Sequence, residues 1–174
     1  MYQKEYISYL AHFHGDRDYF ECHEILEEYW KQVDPCNKES IWVGFIQLAV
    51  SNYHYRRANF NGAKRTLEKA LKIFNHQAKS LINLGLDQHI LIPLLNERLF
   101  KIEKETPYES FDLPISDYSL VEECIKTSRI QGFTWGNKSD LTNKGIVHRH
   151  KLRDRTSIIQ ERNLAIKSRK GNEL

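Results

Sequence analysis

The stretch Glu21-Cys22-His23-Glu24-Ile25-Leu26-Glu27-Glu28-Tyr29-Trp30 begins its chemistry with His-Glu, as a helical zinc-protease motif does. That motif needs a second histidine four residues after the first, and position 27 is a glutamate. On a helix, His23 and Glu27 share a face, and Trp30 lies one turn further along it. Gln47 and His54, seven residues apart, share a face of a second helix. If the two helices form an antiparallel hairpin, the polar pairs meet inside a bundle. Two kinds of chemistry then follow. Imidazole nitrogen and carboxylate oxygen suit Zn, Mn or Fe, so His23, Glu27 and His54 are candidate metal ligands, with Glu24 as the base of a metal-dependent hydrolase. The simpler account, and the leading expectation, is a buried hydrogen-bonded network without a cofactor. A carboxylate in a helical core is costly unless it is paired, and a paired cluster fixes helix register.

The elements that must position these residues read as helices throughout. Apolar residues recur at helical spacing from Tyr2 to Phe13, and Asp16 is the expected N-cap of a second helix ending at Asp34-Pro35. A third helix is expected from about Glu39 to Arg57. It is apolar on two sides and therefore central, with Gly44 allowing a neighbour to pack close. Asn59-Phe60-Asn61-Gly62 is turn chemistry, a fourth helix follows from about Ala63 to Gly85, and Asp87 caps a fifth. Beyond Pro107 the pattern weakens to an extended connection, a short helix over Ser119 to Ser128 and a loop carrying Trp135. The expected architecture is all-α: a single bundle of about five core helices over residues 1–106, and a connecting segment with a basic, partly helical extension over 107–174.

Composition narrows the setting. The three cysteines form no C-x-x-C pair, the N-terminus lacks a signal-peptide core, and the apolar run Ile90–Leu95 is too short to span a bilayer. A soluble, cytoplasmic protein is the expectation. Charge is uneven: residues 1–128 hold 15 Lys/Arg and 19 Asp/Glu, net −4, whereas residues 129–174 hold 11 and 4, net +7. Arg149, Lys151, Arg153 and Arg155 are candidate anion contacts, and residues 141–174 could bind nucleic acid through them. The same segment spaces Leu152, Ile159 and Ile166 seven apart, so docking on the acidic bundle, on a protein partner or on a second copy accounts for both charge and apolar stripe.

HGDRDYFECHEILEEYWK, followed by GFIQLAVSNYHYRRANFNGAKRTLEKAL, resembles the DUF309 family of small all-helical proteins. The resemblance rests on Gly15, Tyr19, His23, Glu24, Glu27, Trp30, Gly44, Gln47, Tyr53, His54, Asn59, Gly62 and Ala63, and covers roughly residues 13–99. It implies the helical fold and marks His23, Glu24, Glu27, Trp30, Gln47, His54 and Asn59 as one polar cluster. It supplies no reaction. The leading functional expectation is a non-enzymatic binding or interaction protein, with the metal-dependent hydrolase and the nucleic-acid binder as alternatives.

Overall fold

The computed structural model describes residues 1–152 and 156–171, and among them the fold is all-α. The helices are α1 (Lys4–His14), α2 (Tyr19–Val33), α3 (Ile41–Arg56), α4 (Phe60–His76), α5 (Ala78–Asn83), α6 (Gln88–Glu103), α7 (Tyr118–Gln131), α8 (Lys144–Val147), α9 (Arg149–Leu152) and α10 (Thr156–Gly171). No helix among the described residues is long and apolar enough to cross a membrane.

Helix starts follow side-chain chemistry. Asp18, not Asp16, caps α2, accepting the Glu21 N–H at 3.1 Å. Asp16 is drawn away by His12, whose Nδ1 lies 3.0 Å from its carboxylate. Asn59 caps α4 by accepting the Gly62 N–H, so α4 starts at Phe60, three residues before the expected position. The expected long fourth helix breaks at Gln77 into α4 and α5. Asp87 caps α6 as its sequence position suggests. Gly85 and Gly132 take left-handed backbone, at φ +74° and +87°, where the chain leaves α5 and α7.

α3 is the central helix, packing chiefly on α4 and α2. Rings at opposite ends show that α2 and α3 run antiparallel: Phe20 meets Tyr53 at 6.2 Å, and Tyr29 meets Trp42 at 5.1 Å. Gly44 lets α4 approach, since a β-carbon there would lie 2.7 Å from Phe74 Cε1. A chain of rings runs through the core, Tyr9 to Phe45 at 5.6 Å and Phe45 to Phe74 at 5.1 Å. Each such ring contributes about 2 kcal/mol by leaving water. Buried phenols remain satisfied: Tyr6 donates to Leu84 O and Tyr9 to Phe45 O.

The part beyond residue 106 belongs to the same core. Leu113, Leu120 and Cys124 are buried in one cluster with Tyr6 and Leu48, and α7 packs on α1. Three buried arginines tie the connection down. Arg17 donates to Phe111 O and Asn137 O and pairs with Asp112. Arg98 donates to Asn52 Oδ1 and Glu109 O, under the rings of Tyr55, Tyr108 and Phe111. Arg56, in the last turn of α3, is buried and donates to Arg17 O and Ser139 Oγ. Trp135 stacks on His14 at 4.4 Å and so pins its loop to the bundle.

The basic extension divides in two. Residues of α8 and α9 lie on the bundle, with Val147 buried and the His150 N–H donating to Tyr53 Oη. α10 differs: Ile159, Leu164 and Ile166 are 54%, 66% and 45% exposed, so these side chains do not dock on their own bundle as one expectation held.

Candidate functional site

His23 lies on the second turn of α2, which Asp18 starts and the α2–α3 packing aims along a surface groove. Its Nε2 is 3.1 Å from Glu27 Oε2, and its Nδ1 is 3.1 Å from Glu24 Oε1. The second approach is out of line for a hydrogen bond, leaving Nδ1 buried without one. Lys31 pairs with the other oxygen of Glu27 at 2.8 Å. The side chains of His23, Glu24 and Glu27 are 25%, 39% and 32% exposed. The expected buried network locking α2 to α3 is therefore corrected: these ion pairs run along α2 and reach the surface, because the two carboxylates sit on the flank of the helix rather than on its core face.

Two cavities adjoin His23. The larger, about 460 Å³, has an apolar floor of Trp30, Val43, Ile46 and Ile73. Gln47 lines it, with Lys38, Lys69 and Lys72 at its rim. Trp30 is held in place by its Nε1, which donates to Asn37 O. The smaller cavity, about 220 Å³, lies between α2 and α3 on the other side of His23, and His54 and His150 line it. Gln47 and His54, expected to join one cluster, thus face different cavities.

His54 is set by its own helix junction. Asn59 Oδ1 accepts the Gly62 N–H, so its Nδ2 donates to His54 Nδ1 at 3.0 Å. His54 Nδ1 is then an acceptor, the imidazole is neutral and the proton sits on Nε2. Burial pushes the His54 pKa down, reinforced by Arg57, Arg65 and His150. Gly62 is required beside it, because a β-carbon there would lie 2.7 Å from Asn59 Nδ2 and 3.0 Å from His54 Cδ2.

His23, Glu24 and Glu27 form the one group of three among the described residues whose ligand atoms could hold a metal ion; these atoms lie within 4.8 Å of one another. His23 and Glu27 meet, as their four-residue spacing predicts; the third group beside them is Glu24, and His54, the other candidate ligand, lines the smaller cavity. The candidate tail contacts go elsewhere. Arg149 pairs with Asp18 and with Glu21, the latter at 3.2 Å. Lys151 is exposed, and Arg153 and Arg155 lie outside the described residues. Arg57, Tyr53 and His150 were not expected at the site. Arg57, the C-cap of α3 three residues after His54, could have been found from that spacing.

The protein is thus all-α, with a His-x-x-x-Glu helix beside an open groove. This chain belongs to the DUF309 family, described as a domain of unknown function, which it matches over residues 6–66, from α1 to the first turns of α4. It is 47% identical over 170 residues to the uncharacterized protein YpuF of Bacillus subtilis (strain 168), covering 98% of both chains. The likeness therefore extends through the basic segment as well as the family region. No solved structure matches the chain.

Proposed function

We propose that the protein is a binding protein that takes up a divalent cation through His23, Glu24 and Glu27 beside the larger cavity, which His23 and Glu27 line. The observation that supports this is the convergence of one imidazole and two carboxylates within 4.8 Å at a partly open surface. Zinc bonds to nitrogen and oxygen are about 2.0–2.2 Å, so rotamer adjustments of about an ångström would close the trio. Imidazole with carboxylates suits Zn, Mn or Fe(II), and three protein ligands leave coordination positions for a ligand. Hydrolysis is less well supported than binding. Glu24, the candidate base, stands among the ligands, and His54, the candidate third ligand, is engaged by Asn59.

The test is metal content and titration of untagged protein purified without chelator, beside His23→Ala and Glu27→Gln. About one divalent cation per chain, lost in both variants, is the expected result. A wild type that takes up no more Zn, Mn or Fe than the variants overturns the reading.

A second reading, interaction with another protein, draws on α10. Ile159 and Ile166 lie two turns apart and are exposed, with Arg162 and Lys167 on the same helix. A protein partner with an acidic, apolar surface would fit this helix in a reducing, cytoplasmic setting. Deleting residues 156–174 should abolish that association. Contact through the isoleucines should survive added salt, whereas nucleic-acid binding through the cations would fall steeply.

A further inference from the structure

The smaller cavity carries a charge pattern that the cation site does not use. Its lining holds Arg57 and the imidazoles of His23, His54 and His150 and, among the described residues, no carboxylate. Arg57 makes no ion pair among the described residues. Its Nε donates to His148 Nδ1 at 3.2 Å, and its guanidinium carbon sits 5.0 Å over the Tyr53 ring. Among the described residues, neither terminal nitrogen of its planar fork has a hydrogen-bond partner. The pKa values of His54 and His148 are both lowered, first by burial and next by Arg57, which is how a corner with surplus positive charge behaves. The remaining walls are apolar: Phe20, Val50 and the faces of Tyr19 and Tyr53. At about 220 Å³ the space is below the range of about 300–1,000 Å³ typical for drug-sized ligands.

We propose that this cavity binds a small organic anion, with its carboxylate or phosphate on Arg57 and His54 and its apolar body against Phe20, Val50 and Tyr53. The guanidinium fork would receive two oxygens side by side, and His54 would donate from Nε2, the nitrogen that Asn59 leaves protonated. Selectivity follows from the two halves of the cavity. A neutral aromatic lacks the charge that offsets Arg57, and a bare inorganic anion leaves the apolar walls uncovered. The site shares its His23 wall with the proposed cation, but Glu24 and Glu27 do not line this cavity, and the anion contacts fall on Arg57 and His54.

Full-length protein in chelator would be titrated with phenyl phosphate and with phenylacetate, followed by calorimetry and by amide NMR shifts, with inorganic phosphate and benzyl alcohol as comparisons. Expected is saturable binding of at least one organic anion, weakened tenfold or more by Arg57→Gln, partly restored by Arg57→Lys, and lost in Val50→Trp, which fills the cavity. Circular dichroism would establish that each variant folds, and if Val50→Trp does not, Arg57→Gln decides. Glu24→Gln removes a proposed cation ligand that lines neither cavity and should leave anion binding unchanged, so the two sites succeed or fail separately. Absence of saturable binding by either organic anion, equal affinity for inorganic phosphate or benzyl alcohol, or an Arg57→Gln protein that binds as the wild type does would overturn the proposal.

Discussion

Asn59 Nδ2 donates to His54 Nδ1 at 3.0 Å while Oδ1 of the same amide accepts the Gly62 N–H, so one side chain both starts α4 and fixes a tautomer across the α3–α4 junction. Replacing the amide by a carboxylate separates the two roles. Asn59→Asp keeps the cap, since Asp and Asn cap about equally well, but offers His54 Nδ1 an acceptor in place of a donor. His54 should then titrate at higher pH than in the wild type, read from its ring proton shifts by NMR. An unchanged or lower titration point would contradict the assigned tautomer. Asn59→Ala, which loses the cap as well, should cost about 1 kcal/mol of stability.

Stability should fall on acidification, and His14 is the main reason. It is buried, donates from Nδ1 to Leu10 O and accepts the Leu113 N–H at Nε2, so it holds no room for a second proton. Burial chiefly lowers its pKa from 6.5 to about 4. The unfolded chain therefore binds a proton that the folded chain refuses. The stabilisation is complete above about pH 6.5 and is lost as pH falls toward 4, on the order of 3 kcal/mol. His54, also lowered, acts in the same direction. Urea unfolding between pH 7.5 and 4.5 would measure the slope. His14→Ala should be less stable at pH 7 and should flatten that slope; a His14→Ala protein with the wild-type slope would assign the loss to other groups.

Gly44→Ala sets two effects against each other. Alanine gains about 1 kcal/mol of helix propensity over glycine. Its β-carbon would meet Phe74 Cε1 at 2.7 Å and Ile73 Cγ2 at 3.1 Å, against a Phe74 ring that is fully buried and cannot swing away. Overpacking of this kind costs about 1–3 kcal/mol, so net destabilisation is expected by thermal unfolding. A higher melting temperature would mean that α4 yields easily at this contact.

Arg98→Met keeps much of the packing under Tyr55, Tyr108 and Phe111 but removes the donors to Asn52 Oδ1 and Glu109 O. The buried Asn52 Oδ1 and the part-buried Glu109 O would lose partners, at a cost of about 1–3 kcal/mol, most of it at Asn52. Hydrogen exchange should show amides around residues 107–113 losing protection before those of α3. Equal protection across both regions would show that Arg98 does not hold the connection.

Local signals carried much of this architecture into the sequence. The stop at Asp34-Pro35, the cap at Asp87 and the spacing of His23 and Glu27 depend on residues within a turn or two. What was not legible depends on partners far along the chain. Arg17, Arg56 and Arg98 are strong surface candidates by type, and acceptors brought to each of them from residues 107–146, beside Arg17 O and Asn52 Oδ1, make burial tolerable. The separation of Gln47 from His54 is likewise tertiary, since helical spacing places both on one face and cannot show that His23 divides the groove between them.

The long reach of Arg17 also bears on how the chain is made. Arg17 waits for Asn137 O, and α1 waits for α7, more than a hundred residues later. A chain emerging from the ribosome can pack α1 on α2 and form the α2–α3–α4 hairpins early, but the other face of its first helix stays uncovered until α7 has cleared the exit tunnel. Closure of the core is thus a late event. Ribosome-bound chains arrested before residue 131 should leave α1 open to protease, and chains released beyond residue 140 should protect it.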